Sequence, residues 1–241
     1  MDSTIQTISV LNLSLAFIPV LIVLVIFYKW QLKTGNTVYA FVRMITQLLL
    51  VGYFLAYIFG ANNATIILAI LTVMIIASSW IALRTVEDKR LSLLPQALLS
   101  VLLGGGFTLV FITQFVLDLT PWYQPSYMIP IAGMIFAASM NSISLAAERL
   151  SSELDRTRNY MQSRNTAFQA SLIPTINSLF AVGLVTLPGM MTGQILAGVS
   201  PLIASRYQIM VMCMIFAAAG LTTAIFLTFA KNKFILTQQN T

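Results

Sequence analysis

The sequence predicts an all-α protein, a polytopic bundle of transmembrane helices. Two observations lead to this fold class. Of the 241 residues, 58% are hydrophobic and only 8% are charged, whereas a soluble domain carries about 25% charged residues. Apolar stretches of about 20 residues, the length that crosses a hydrocarbon core, also recur along the whole chain. There are too few polar side chains to cover a water-facing surface, so we expect a multi-pass protein of the plasma membrane.

Seven candidate spans follow one another along the chain. They lie near 8–28, 38–59, 65–83, 95–117, 127–147, 172–199 and 207–229. No positive charge precedes the first span, and Lys29 and Lys33 follow it. This pattern favours an uncleaved anchor with its N-terminus outside the cell. Seven spans then place the C-terminus in the cytoplasm.

The loops support this orientation because basic and uncharged loops alternate. The turn "RTVEDKR" and the segment 148–170 are rich in Lys and Arg, whereas "GANNA" and "LDLTPWYQPS" contain neither. In the predicted topology every Lys and Arg except Arg206 faces the cytoplasm, as the positive-inside rule requires. The net charge of +6 therefore indicates topology and contact with the lipid bilayer, and no nucleic-acid partner is expected.

A single transmembrane domain is expected over 1–241, since no linker or low-complexity tract divides the chain. The sizeable polar segment at 148–170 predicts a cytoplasmic helical hairpin that turns near 163–165. Glu153 lies three residues before Arg156, a favourable helical pair. Such a hairpin is a solvated connection or, in a transporter subunit, a docking surface for a soluble partner. The candidates for docking are Arg156, Arg158, Met161, Arg164 and Phe168.

Several absences narrow the function. The chain has no histidine and one cysteine, which removes the commonest general base and a thiolate metal site. No Walker A pattern is present, so the chain does not bind ATP in the P-loop manner. No span contains a clear acidic residue that could bind a coupling ion. We therefore expect a transport protein that is no enzyme, holds no cofactor, and draws any energy from another polypeptide.

Two proline-containing segments are the candidates for a substrate path. They are "MIPIAGMIFAASMN" (128–141) and "LIPTINSLFAVGLVTLPGMM" (172–191). Pro188 is expected to break the sixth span near its middle, because proline removes a backbone donor, and broken helices line the paths of many transporters. The candidate path residues are Pro130, Met134, Asn141, Asn177, Pro188, Gly189, Met190, Met191 and Gln194.

Two further features have alternative interpretations. Met134, Met190 and Met191 could offer soft thioether ligands to a metal ion, or they could fill gaps in the packing. The glycine triplet at 104–106, in the fourth span, favours close packing of helices and is less indicative of a hinge.

Five stretches carry a resemblance to a known family. They are "RMITQLLLVGYFLAYIF" (43–59), "MIPIAGMI" (128–135), "SLIPTINS" (171–178), "VGLVTLPGMMTGQILAG" (182–198) and "RYQIMV" (206–211). Together and in this order they resemble the FetB/YbbM family of membrane permease subunits. These subunits belong to an ABC-type exporter implicated in iron efflux, and the family includes plant permeases of aluminium tolerance. The string "LPGMM" is the most specific part of the match.

The resemblance implies a metal-ion exporter in which two permeases work with two cytoplasmic ATP-binding subunits. One departure concerns the hairpin. Family members usually carry a stretch of the form L-S-L-G-A-T-P-x-x-A before the sixth span, and "RNYMQSRNTAFQASLIPT" here lacks its Gly-Ala-Thr-Pro element. The alternatives to an exporter subunit are a passive channel or facilitator, and a membrane interaction protein that does not couple to an ATPase.

Overall fold

A computed structural model describes residues 8–32, 34–59 and 63–234. Within these ranges the chain forms helices and no β-strand, apart from an isolated bridge between Val182 and Thr186. The predicted all-α fold class is confirmed. Lys33 and most of the "GANNA" loop, both used in the topology argument, lie outside the described residues.

The chain divides into two compact units, Met1–Ala61 and Asn62–Thr241. The first unit contains the helices α1 (Val10–Leu15), α2 (Phe17–Lys29) and α3 (Thr34–Phe59). Ser9 begins α1, because its hydroxyl accepts a hydrogen bond from the Asn12 amide at 3.1 Å. Such a cap is the expected start of a helix.

The second unit contains the other named helices. They are α4 (Ala64–Ala82), α5 (Arg90–Ser100), α6 (Gly106–Val110), α7 (Pro125–Thr157), α8 (Tyr160–Ala181), α9 (Gly189–Leu196) and α10 (Pro201–Phe229). Two short 3-10 turns join α4 to α5. A π-helical turn, Val101–Gly105, joins α5 to α6, and a second one, Phe111–Val116, follows α6.

Five helical segments among the described residues are long and apolar enough to cross a membrane. They are Val10–Lys29, Ala64–Thr85, Glu87–Val116, Pro125–Thr157 and Pro201–Phe229. Each overlaps a predicted span. Of the two other predicted spans, α3 covers 38–59 as one continuous helix, whereas 172–199 is interrupted. The count of seven spans and the orientation of the termini stay predictions.

The helical hairpin forms at the predicted segment, with its turn at a different place. The turn consists of Arg158, which has a left-handed backbone with φ 52, and Asn159. The side chain of Asn159 accepts a hydrogen bond from the Gln162 amide at 3.2 Å and so begins α8. The Asn159 side chain satisfies an amide group at the helix start, so α8 begins at Tyr160. The turn therefore lies about five residues before the predicted position at 163–165.

Buried hydroxyl groups join α7 to α10 in the centre of the second unit. Ser139 and Thr222 are hydrogen-bonded at 3.0 Å. Ser142 donates to the Ala219 carbonyl at 3.1 Å and also bonds to Thr223. These side chains are buried. Small residues let the two backbones approach closely, and the hydroxyl groups then satisfy one another away from water.

The glycine triplet takes part in the same packing. A Cβ atom added to Gly104 would lie 2.7 Å from the Thr222 backbone nitrogen on α10, whereas one added to Gly106 would meet nothing within 4 Å. The interpretation as helix packing therefore holds for Gly104.

Candidate functional site

The predicted sixth span consists of two helices with an irregular segment between them. Helix α8 ends at Ala181, and its carbonyl accepts hydrogen bonds from the amides of residues 184–186. Gly183 then adopts a φ of +85, a conformation that glycine accommodates without steric cost. The break therefore begins at Gly183, earlier than predicted.

Pro188 is not the residue that breaks the helix, which corrects the sequence-based expectation. It has an extended backbone, with φ −62 and ψ 146, and forms the N-cap of α9. Proline is tolerated there because the amide groups at a helix start have no partner within the helix. Pro174 is the proline that lies inside α8, and Pro130 lies inside α7.

A cavity of about 560 Å³ lies where α7, α8 and α10 meet the irregular segment. Small and polar side chains make up much of its wall, together with three methionines. The lining residues include Met134, Ala138, Asn141, Ser142, Ser171, Pro174, Thr175, Ser178, Thr186, Pro188, Gly189, Met190, Gln208, Val211 and Met212. Since α7 rises by about 1.5 Å per residue, the cavity follows this helix for about 16 Å between Met134 and Leu145.

The cavity brings together five of the nine predicted path residues: Met134, Asn141, Pro188, Gly189 and Met190. The other four, Pro130, Asn177, Met191 and Gln194, do not line it. Pro130 and Asn177 are exposed, whereas Met191 and Gln194 are half-buried on α9. Of the three methionines suggested as metal ligands, Met134 and Met190 share the cavity and Met191 lies outside it.

Helix α10 contributes four cavity residues that the predicted set lacks: Gln208, Val211, Met212 and Ile215. Gln208 is only 5% exposed, and its Oε1 atom has no hydrogen-bond partner among the described residues. A buried acceptor without a partner costs about 1–3 kcal/mol, so this amide is a notable feature of the wall. The sequence shows Gln208 only as one of several amides in apolar segments.

The wall of the cavity is mostly apolar, and the polar groups that it contains are uncharged. Among its described lining residues there is no Asp, Glu, Lys or Arg. Its polar side chains are hydroxyls and the amides of Asn141 and Gln208, and α9, whose first residues also line the cavity, receives no side-chain cap. This wall can form hydrogen bonds in both directions, and it offers no opposite charge to an ion.

The hairpin carries charged side chains, whereas the described lining residues of the cavity are uncharged. Glu153 on α7 is buried and forms two salt bridges at 2.8 Å, one with Arg149 and one with Arg156. Arg156 is thus engaged in an ion pair within α7. The other charged candidates, Arg158 and Arg164, form no salt bridge within the described chain, and Met161 between them is exposed.

Tyr160 attaches the start of α8 to α10. Its hydroxyl donates a hydrogen bond to the Leu227 carbonyl. Burial raises the pKa of Tyr160 to about 12, so the phenol keeps its proton and remains a donor at physiological pH. Phe168, the last docking candidate, is half-buried further along α8.

A family model described as "Uncharacterised protein family (UPF0014)" matches residues 10–235 of this chain. The chain belongs to the UPF0014 family. The resemblance noted in the sequence is thereby confirmed, since a FetB protein and a plant aluminium-sensitivity protein are among its relatives. Like the UPF0014 membrane proteins it matches, this chain is a multi-pass membrane protein.

Three curated relatives illustrate the breadth of UPF0014. The UPF0014 membrane protein slr1647 of Synechocystis is 37% identical over 81% of this chain and 82% of its own length. The protein named "Probable iron export permease protein FetB" of Escherichia coli is 32% identical over 91% and 90%. Protein ALUMINUM SENSITIVE 3 of Arabidopsis thaliana is 32% identical over 86% and 81%. No solved structure gives a significant match.

The left-handed glycine beside the cavity gives a first prediction for this UPF0014 protein. We expect Gly183→Ala to lower stability by about 1–2 kcal/mol, the cost of a left-handed backbone for a residue with a Cβ atom. Space is not the cause, because a Cβ atom there meets nothing within 4 Å. Thermal unfolding in detergent measures the effect, with Gly193→Ala in α9 as the control. Equal loss in both variants would contradict the prediction.

Proposed function

We propose that this chain is the transmembrane permease subunit of an ABC-type exporter that moves a metal ion, iron by family likeness, out of the cytoplasm. Two copies of the permease would work with a separate cytoplasmic ATP-binding subunit, which supplies the energy. The observation that carries the proposal is the 32% identity to the relative named as a probable iron export permease, over 91% of this chain. The chain's own part is transport rather than catalysis.

The cavity supports a transport role and suggests the path. It lies between α7, α8 and α10 and beside an interrupted helix, an arrangement typical of substrate sites in transporters. The proposed path residues are those candidates from the sequence that lie on its wall: Met134, Asn141, Pro188, Gly189 and Met190. Gln208 and Met212 join them from α10.

The hairpin is the proposed docking surface for the ATPase. It combines the exposed Arg158 and the half-buried Arg164 with the exposed Met161. An exposed apolar side chain beside arginines that form no salt bridge within the described chain is typical of an interaction surface. The turn at Arg158–Asn159 provides this surface without the Gly-Ala-Thr-Pro element of the family.

Iron efflux from whole cells tests the proposal. Cells that express this chain with its ATPase are loaded with radioactive iron, and we expect efflux that is lost when the Walker lysine of the ATPase is replaced. The two proteins should also purify together. Efflux that is independent of the ATPase would favour a passive facilitator. Absence of both efflux and association would favour a membrane interaction protein.

A further inference from the structure

A second groove, the α4/α5 groove, lies between these two helices and has a volume of about 560 Å³. Its wall is mostly apolar and includes Thr72, Ile75, Ile76, Leu98, Leu99 and Leu102. The hydroxyl of Thr72 donates to the Leu68 carbonyl of its own helix at 2.8 Å, so the groove offers contacts to hydrocarbon rather than hydrogen bonds. None of these residues lines the cavity between α7, α8 and α10, and the proposed function makes no use of them.

A positive charge lies at one end of the α4/α5 groove. Arg90 begins α5 and reaches back to α4, where its Nε and Nη2 atoms donate to the Trp80 carbonyl at 3.2 and 2.7 Å. Its guanidinium also lies over the Trp80 ring, 3.7 Å from the ring centroid. Ile76 lies one turn before Trp80 on α4 and Thr72 one turn before that, about 6 and 12 Å along the helix. The groove therefore extends from the charged end into the apolar part of the span.

Arg90 has no acidic partner among the described residues. The acidic groups nearest to it in sequence, Glu87 and Asp88, line a different pocket, which they form with Glu148 of α7. Arg90 itself is half-buried. Its guanidinium has N–H groups beyond those that bind the Trp80 carbonyl, and arginine binds phosphate oxygens with such groups. Charge complementarity therefore favours an anion at this end of the groove.

We infer that the α4/α5 groove binds an anionic phospholipid. One acyl chain lies along the apolar wall, and the phosphate group contacts the Arg90 guanidinium. Trp80 is 40% exposed, and tryptophan beside arginine at a helix end is typical of the boundary between hydrocarbon and headgroups. In the predicted topology this end of both helices faces the cytoplasm, where the leaflet carries anionic lipids. An apolar helix of a second copy could cover the groove, but it would leave Arg90 without an anion.

Quenching of Trp80 fluorescence by brominated lipids tests this inference. The purified chain in detergent carries Trp30→Phe and Trp122→Phe, so that Trp80 is the tryptophan that remains. Brominated phosphatidylglycerol is anionic, whereas brominated phosphatidylcholine has no net charge. We expect phosphatidylglycerol to quench saturably and with an affinity about fivefold higher, which corresponds to the contribution of one basic residue to binding an anionic lipid.

Two pairs of variants make the test specific. Arg90→Gln removes the charge and keeps an amide donor, so it should abolish the preference for phosphatidylglycerol. Arg158→Gln, at the hairpin turn, is the matched control and should preserve the preference. Thr72→Phe fills the groove and should remove saturable quenching by both lipids. Val73→Phe adds a similar bulk at an exposed position that does not line the groove, and quenching should not change.

Four results would overturn the inference. Equal affinity for the two lipids, or an unchanged preference in Arg90→Gln, would exclude the contact between Arg90 and the headgroup. Saturable quenching that survives in Thr72→Phe would show that the acyl chain lies outside the groove. Absence of quenching by either lipid would indicate that protein, such as a second copy of the chain, covers the groove. None of these measurements requires transport, so their failure leaves the proposed function unaffected.

Discussion

Replacement of Gly104 by alanine is expected to destabilise the protein by about 1–3 kcal/mol, the usual cost of overpacking a core. The added Cβ atom would lie 2.7 Å from the Thr222 backbone nitrogen and 2.8 Å from its Cα atom. A backbone neighbour cannot rotate away as a side chain can. The π-helical turn Val101–Gly105 and α10 must therefore separate, and the nearby bond between Ser139 and Thr222 would be stretched.

Gly106→Ala is the matched control for this prediction. It makes the same chemical change two residues away, in α6, where no atom lies within 4 Å of the added Cβ atom. Because alanine favours helices over glycine by about 0.5–1 kcal/mol, this variant should be as stable as the original or slightly more so. Thermal unfolding midpoints in the same detergent compare the two. A Gly104→Ala midpoint equal to that of Gly106→Ala would refute the close contact.

The second large effect concerns the hairpin. The double reversal Arg158→Glu with Arg164→Glu should weaken association with the ATPase on the order of 100-fold, since like charges brought together cost several kcal/mol and about 1.4 kcal/mol corresponds to a tenfold change. Iron efflux should fall with it. Arg156 is excluded from the variant because it pairs with the buried Glu153, and its reversal would place two acidic groups side by side on α7.

The control is a double reversal of equal charge outside the hairpin, Arg84→Glu with Lys231→Glu, both at exposed positions. Co-purification with the ATPase and the efflux rate are measured for both doubles, after folding is verified by size-exclusion chromatography. We expect the control to keep association and efflux. Equal losses in the two doubles would indicate a general effect of charge, and an unaffected hairpin double would remove the hairpin from the docking surface.

Much of the fold could be predicted from composition and hydropathy, because a helix that crosses lipid must be apolar along its length. Helices α4 and α10 illustrate this, since both overlap predicted apolar stretches. The predicted position of the hairpin turn is wrong because it follows hydropathy, whereas a local helix cap decides where the turn lies. Asn159, with Gln162 three residues later, is an N-cap pattern that can be recognised in the sequence, and it gives the correct start of α8.

The cavity was only partly predictable, for a different reason. Met134 and Pro188 belong to segments that are unusual in themselves, so sequence alone could single them out. Gln208 lies in an ordinary apolar helix, and its importance comes from the packing of α10 against α7 and α8. That packing depends on contacts far apart in sequence, such as the one between Ser142 and Thr223, which periodicity does not reveal.

Pro174 affects how easily α8 bends. It lies inside the helix and on the wall of the cavity, and because it has no amide hydrogen the Ala170 carbonyl loses its helical donor. A helix bends most easily where its hydrogen-bond ladder is interrupted. Bending of α8 therefore meets least resistance at Pro174, and this point lies on the wall of the cavity.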